Sequence, residues 1–136
     1  MTREDLIFKF DKALLIDDND IDNFINERMI TTSGFGKTVV VKNSAQGALD
    51  HLASISAKGE NLPQVIFLDL NMPVMDGFAF LDEYEKFTDD LKSYCKIIVL
   101  SSSISPEDIN RASTNPYVLR FINKPLSEKY LSVITF

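Results

Sequence analysis

The sequence predicts an open, doubly wound α/β domain built on a five-stranded parallel sheet. Three observations carry this prediction: five short apolar runs rich in β-branched residues, amphipathic segments of helical period between them, and short polar connections. The runs are Ala13–Ile16, Thr38–Val41, Val65–Leu70, Ile97–Leu100 and Val118–Ile122. Each is short and apolar enough to form a strand buried on both faces. The first helical segment places Ile21, Phe24, Ile25 and Met29 on one side, the second Ala45, Ala48, Leu49 and Leu52, and the third Phe78, Leu81 and Tyr84. These apolar faces are expected to pack on the sheet. Ser44 can cap the second helix. Ser105, Pro106, Glu107 and Asp108 combine a cap, a first-turn proline and acids at the positive end of the helix dipole, which starts a fourth helix. Ser127 with Glu128 opens a short fifth, and Ser56 to Pro63 reads as a loop before the third strand. Strict alternation with right-handed crossovers puts helices on both faces and gives the strand order 2-1-3-4-5.

A chain of 136 residues has room for one domain, expected to span 1–136 with its core from about residue 11 onward. With 45% hydrophobic and 25% charged residues it can bury a core, which excludes a mainly disordered chain. Fourteen basic against 20 acidic residues leave a net charge of −6, which offers no generic attraction to nucleic acid or anionic membrane. Partners are therefore expected to be proteins, cations or small molecules. No apolar run is long enough to span a bilayer, and Arg3, Glu4, Asp5 and Lys9 interrupt the N-terminal stretch, so a cytoplasmic location is expected. Single residues Cys95 and His51 exclude an internal disulfide and chemistry that needs two imidazoles.

In such a fold, ligands bind at the carboxyl ends of the strands, near the switch between strands 1 and 3. Strand 1 ends in Asp17 and Asp18, strand 3 reaches Asp69, strand 4 runs into Ser101, Ser102 and Ser103, and strand 5 ends in Asn123 and Lys124. Three carboxylates at one sheet edge repel each other and require positive charge. Lys124 supplies one, and hard oxygen ligands suit a divalent ion such as Mg²⁺ with a phosphoryl group. Asp17, Asp18 and Asn19 could equally form a helix-capping turn. Asp69 is less easily read as structural, because aspartate interrupts an otherwise apolar strand. A cis Lys124–Pro125 bond would point the ammonium over the crevice, and a serine hydroxyl on the neighbouring strand can donate to a phosphoryl oxygen.

Together, Asp17–Asp18, the stretch from Phe67 to Gly77 (FLDLNMPVMDG), the serines after Ile97–Leu100, and Lys124–Pro125 resemble the receiver domain of two-component response regulators. The resemblance runs from about Ala13 to Phe136 and implies the flavodoxin-like, CheY-like three-layer sandwich. It implies further that Asp69 accepts a phosphoryl group from the phosphohistidine of a sensor histidine kinase or a histidine phosphotransfer protein. By the same resemblance Asp18, Asp69 and the backbone carbonyl of Asn71 bind Mg²⁺, or Mn²⁺ in its place, with Asp17 helping directly or through water. Ser101 and Lys124 would, by that resemblance, contact the phosphoryl oxygens, Ser101 and Phe121 would form the switch, and Asn71 and Ser103 would tune dephosphorylation. Gly77 reads as a turn residue that releases backbone strain before the third helix. Phe121 stands where tyrosine is common and is equally readable as a core aromatic.

The chain is then expected to be a stand-alone phosphoacceptor of a phosphorelay, with Mg²⁺-dependent self-phosphorylation and self-dephosphorylation rather than enzymatic turnover. No output domain is expected, so the signal would pass to a downstream protein the sequence does not name. Three other classes are weighed. A haloacid-dehalogenase-like phosphatase needs a second acid two residues after the nucleophile, where this chain has Asn71. A flavodoxin-like cofactor binder needs a phosphate-cradling loop after strand 1, where Asp17, Asp18 and Asp20 repel anions. A docking module independent of phosphorylation is disfavoured by the complete set of matched site residues.

Overall fold

A computed structural model describes residues 8–103 and 105–135. The expected N-terminal features at Arg3, Glu4 and Asp5, and the terminal Phe136, lie outside the described residues. Five strands, β1 (Phe10–Ile16), β2 (Gly36–Lys42), β3 (Val65–Leu68), β4 (Lys96–Ser101) and β5 (Val118–Asn123), form one sheet in the order β2-β1-β3-β4-β5. Every neighbouring pair is parallel. The helices are α1 (Asp20–Thr32), α2 (Ala45–Ala57), α3 (Gly77–Tyr84), α4 (Asp89–Tyr94), α5 (Pro106–Ser113) and α6 (Glu128–Ser132). Among the described residues, no helix is long and apolar enough to cross a membrane.

Strand geometry divides the core into two layers, because successive side chains point to opposite faces. Ala13, Leu15, Val65, Phe67, Ile98 and Leu100 join Ile30 of α1 and Leu131 of α6 on one face. Leu14, Ile16, Ile66, Leu68 and Ile97 meet α2 and α3 on the other. Every residue of β3 is buried. The expectation that all five strands are buried on both faces fails at the sheet's edges: β2 and β5 are largely half-buried or exposed, since each has a neighbour on one side only. β3 also ends at Leu68 rather than Leu70, leaving Asp69 and Leu70 at the start of the following loop.

The serine caps form as expected: Ser44 accepts from the Gly47 N–H, Ser105 from Asp108 and Ser127 from Tyr130. α2 buries Ala45, Ala48, Leu49 and Leu52 and continues to Ala57, so the expected loop starts two residues later than Ser56. The short α4 was not anticipated. Leu91 is its single buried residue, so it has no apolar stripe, and its start is set by the Thr88 hydroxyl accepting the Leu91 N–H.

α1 departs most from expectation. Its buried residues are Asn23, Asn26 and Ile30, whereas Ile21, Phe24 and Ile25 are 71%, 63% and 51% exposed. The helix is turned so that polar side chains face the end of β1. The Asn23 amide donates to the Asp17 carbonyl at 2.7 Å, a bond that a sheet-facing Phe24 could not supply.

Gly77 is also needed for a different reason from the one expected. Its φ is not positive; in this loop the left-handed residue is Val74, at φ 68°. At Gly77 the constraint is close approach: a Cβ there would lie 2.7 Å from the Asp69 carbonyl oxygen and 2.8 Å from the Leu70 Cα. Backbone atoms at that distance cannot be relieved by a rotamer change. Gly77→Ala is therefore expected to destabilise the fold by about 1–3 kcal/mol, the usual cost of overpacking, read from urea unfolding. An unchanged midpoint would show that the loop has room to yield.

Candidate functional site

The carboxyl ends of β1, β3, β4 and β5 form the floor of one acidic pocket. At the end of β1, the Asp17 N–H still donates to the Lys42 carbonyl at 3.2 Å, so ladder geometry fixes where this acid sits. Asp17 is 2% exposed, with Oδ1 accepting the Asn19 N–H at 2.9 Å and Oδ2 the Lys124 ammonium at 2.6 Å. Asp18, next along the chain, is exposed. Asp69 leaves β3 with its N–H still bonded to the Ile16 carbonyl at 3.0 Å, which places the two acidic strand ends side by side. Asp17, Asp18 and Asp69 each offer one carboxylate oxygen, all within 4.8 Å of one another. Such a set of hard oxygen donors suits Mg²⁺ or Mn²⁺.

Lys124 enters from β5, its N–H bonded to the Ser101 carbonyl at 2.9 Å. The Lys124–Pro125 peptide bond is cis. The ammonium lies 2.6 Å from Asp17, 3.1 Å from Asp22 and 3.8 Å from Asp69. Burial alone would lower its pKa, but the hydrogen bonds to Asp17 and Asp22 and the charge of Asp69 outweigh that and hold it above the ordinary lysine value. Asp69 shifts the other way from a typical paired carboxylate. Burial and the Asp17 charge raise it to about 6, against the lowering effects of Lys124 and the Asn71 backbone N–H.

The remaining expected residues divide into two groups. Ser101, fully buried at the end of β4, stands beside Lys124 through the backbone bond just described. Its Oγ accepts the Ser103 N–H at 3.1 Å. Asn71 is exposed on the loop after β3. The Ser103 hydroxyl is committed elsewhere, donating to Asp108 Oδ2 at 2.9 Å, while the Asn123 amide donates to the Ser103 carbonyl at 3.1 Å. Phe121 is half-buried, packed against Leu70, Val99 and Ala112. Three participants were not anticipated: Asp22, Asn23 and the Asp108 side chain as the anchor of Ser103. Asp22 stands in the first turn of a helix, where an acid reads as a dipole partner, and its pairing with a lysine 102 residues away has no local signal.

The raised Asp69 pKa has a defined consequence for stability. A folded value near 6 against an ordinary 3.8 means that the folded state binds the proton more tightly than the unfolded chain. The ionised carboxylate thus opposes folding above about pH 6, and this penalty is relieved as pH falls through that value. In metal-free buffer Asp69→Asn is expected to be more stable than wild type near pH ~8, with the difference shrinking through pH ~6 and levelling near pH ~4. A pH-independent difference in denaturant midpoints would show that Asp69 is not the titrating group.

Comparison with known proteins agrees with this geometry. The family described as "Response regulator receiver domain" matches residues 13–135. The chain is 31% identical over 114 residues to a "Probable methanogenesis regulatory protein FilR2" of Methanothrix harundinacea, covering 84% of this chain and 72% of that protein. It is 27% identical over 122 residues to the "Sensor histidine kinase CheAY" of Helicobacter pylori, covering 90% of this chain but only 14% of that kinase. A crystal structure of a two component response regulator from Cytophaga hutchinsonii superposes with a TM-score of 0.84 at 31% identity, covering 91% of this chain and 92% of that one. A sheet ordered 2-1-3-4-5, an acidic pocket at its carboxyl edge and a family match across nearly the whole chain lead to one conclusion: this chain belongs to the receiver domain family of two-component response regulators.

Proposed function

We propose that Asp69 is the phosphoacceptor of this receiver, taking a phosphoryl group from a phosphohistidine of a sensor histidine kinase or histidine phosphotransfer protein. The observation that carries this is the placement of Asp69 within 4.8 Å of the Asp17 and Asp18 oxygens and 3.8 Å from the Lys124 ammonium. An Asp69 oxygen attacks phosphorus, an O–P bond forms, and the N–P bond breaks with its electron pair leaving on the imidazole nitrogen. Asp18, Asp69 and the Asn71 carbonyl would hold Mg²⁺, which when bound neutralises charge on the transferred group. Both Asp17 oxygens are already hydrogen-bonded, to Asn19 and Lys124, which favours its contribution through water. Lys124 and the Ser101 hydroxyl are the donors for the phosphoryl oxygens. Water attack at phosphorus later breaks the same O–P bond and restores the carboxylate. Asn71 borders that path from the loop, and Ser103 tunes it by positioning the segment after β4.

Asp69 is only 5% exposed, so a protein donor must press against the pocket rim to bring its histidine close. The outward Ile21, Phe24 and Ile25 on the first turns of α1, and the exposed Val74 on the loop after Asp69, supply apolar landing area for it. For output, phosphorylation draws Ser101 toward the phosphoryl group, and the segment after β4 follows. Phe121 fills the space released, changing the face formed by α5, β5 and α6, where Leu119, Tyr130 and Val133 are exposed to a downstream protein.

Wild type is expected to incorporate label from acetyl phosphate or a phosphohistidine donor only with Mg²⁺. Asp69→Asn should fold and incorporate none, and Asp18→Ala should need more Mg²⁺. Labelling of Asp69→Asn to the wild-type extent would place the acceptor elsewhere. For the switch, beryllofluoride with Mg²⁺ is expected to shift amide signals in α5, β5 and α6 of wild type. In Ser101→Ala the shifts should stay confined to the pocket, and a distal response equal to wild type would remove Ser101 from the coupling.

A further inference from the structure

Lys124 is placed off-centre for the task assigned to it. Its ammonium is within hydrogen-bond distance of Asp17 at 2.6 Å and of Asp22 at 3.1 Å, whereas Asp69 at 3.8 Å is beyond it. The Asp17 contact belongs to the floor of the pocket and joins the ends of β1 and β5. The Asp22 contact comes from α1, on the rim, and nothing in the phosphoacceptor chemistry requires a carboxylate there. We propose that Asp22 is a positioning residue that holds Lys124 toward α1 in the resting state and competes with the incoming phosphoryl group for its ammonium. This rests on the reading of Asp69 as the acceptor.

The two ion pairs differ in how readily they open. The Asp17 side chain is 2% exposed and both its oxygens are bonded, so losing Lys124 would strand a buried charge. The Asp22 side chain is 39% exposed and can be hydrated when released, as for the weak ion pairs of protein surfaces. When phosphoryl oxygens arrive at Asp69, the ammonium can therefore keep Asp17 and exchange Asp22 for phosphoryl. Asp22 then remains beside the pocket as an unpaired negative charge, which repels the anion. Both effects have one sign: Asp22 opposes the phosphorylated state. Because Asp22 lies between Ile21 and the outward Phe24 and Ile25, the same turn of α1 carries this counter-ion and part of the landing area for the donor.

The test is a beryllofluoride titration at saturating Mg²⁺, followed by the amide signals around Asp69. It uses wild type, Asp22→Asn, Asp22→Ala, Asp22→Glu and, as a control for net charge, Asp20→Asn in the same turn. Asp22→Asn and Asp22→Ala are expected to bind about threefold tighter and to be labelled faster by acetyl phosphate, with Asp22→Glu close to wild type. Asp20→Asn should move affinity by clearly less. The ¹⁵N-bound ammonium protons of Lys124, which its contacts with Asp17 and Asp22 are expected to protect from exchange in resting wild type, should broaden in Asp22→Asn before any beryllofluoride is added. A protein that merely loses a stabilising ion pair would bind the analogue equally or more weakly, which is the opposite direction. Unchanged or weaker binding in Asp22→Asn, equal tightening in Asp20→Asn, or an equally protected Lys124 ammonium would overturn the proposal. If wild type itself bound no beryllofluoride, the acceptor reading would fall, and this proposal with it.

Discussion

The site depends on a single contact, the 2.6 Å pair between Lys124 and Asp17, which joins groups 107 residues apart. Parallel order brings the ends of β1, β3, β4 and β5 to one edge, and three of the residues gathered there are acids. Two of them, Asp17 and Asp69, are buried, and buried negative charge opposes folding unless a cation is fixed beside it. Lys124 is that cation, and its backbone is held by the Ser101 carbonyl, so the end of β4 determines where the charge stands. Ser101 therefore shapes the pocket through its backbone, as the anchor of Lys124, while its hydroxyl accepts the Ser103 N–H.

One cation does not fully offset three anions, and the imbalance shows at Asp69. Asp69 remains a carboxylate whose ionised form is disfavoured by burial and by Asp17, held near pKa 6 instead of 3.8. A group in that condition gains from any ligand that adds positive charge or spreads its own charge. The rigid apolar layers beneath it prevent the alternative, a relaxation of the loops that lets the acids separate. β3 is buried throughout, and the Gly77 N–H is bonded to the Leu70 carbonyl at 2.9 Å with no room for a Cβ beside the Asp69 carbonyl, leaving that backbone little freedom to move.

The fold was legible because its signals are local and repeated. Strand runs, serine caps and the buried stripe of α2 each follow from residues close in sequence. What was missed was of two kinds. α4 contributes one buried side chain and has no period to detect. α1 has a period, but the stripe it advertises is the outward one. The charged residues at the strand ends were legible for a similar reason, since Asp69 interrupts an apolar run and Lys124 precedes a proline. Asp22, Asn23 and the Asp108–Ser103 bond were not, because each matters only through a partner that the fold delivers from elsewhere.

α1 explains why hydrophobic period can point to the wrong face beside a polar site. A helix that only covers a sheet buries its apolar stripe, since that is where the transfer free energy lies. α1 begins two residues after Asp18, and its first turns rest over the acidic pocket rather than over apolar strand. There the stronger requirement is to pair the Asp17 carbonyl and the Lys124 ammonium, so Asn23 faces the first and Asp22 the second, even though the Asn23 Oδ1 is left buried without a partner. Only at Ile30, farther from the pocket, does the helix bury an aliphatic side chain in the core. Turning polar residues inward forces Ile21, Phe24 and Ile25 outward on the same turns. The apolar rim is thus a geometric consequence of the acidic pocket: the constraint that organises the charges also exposes the surface beside them.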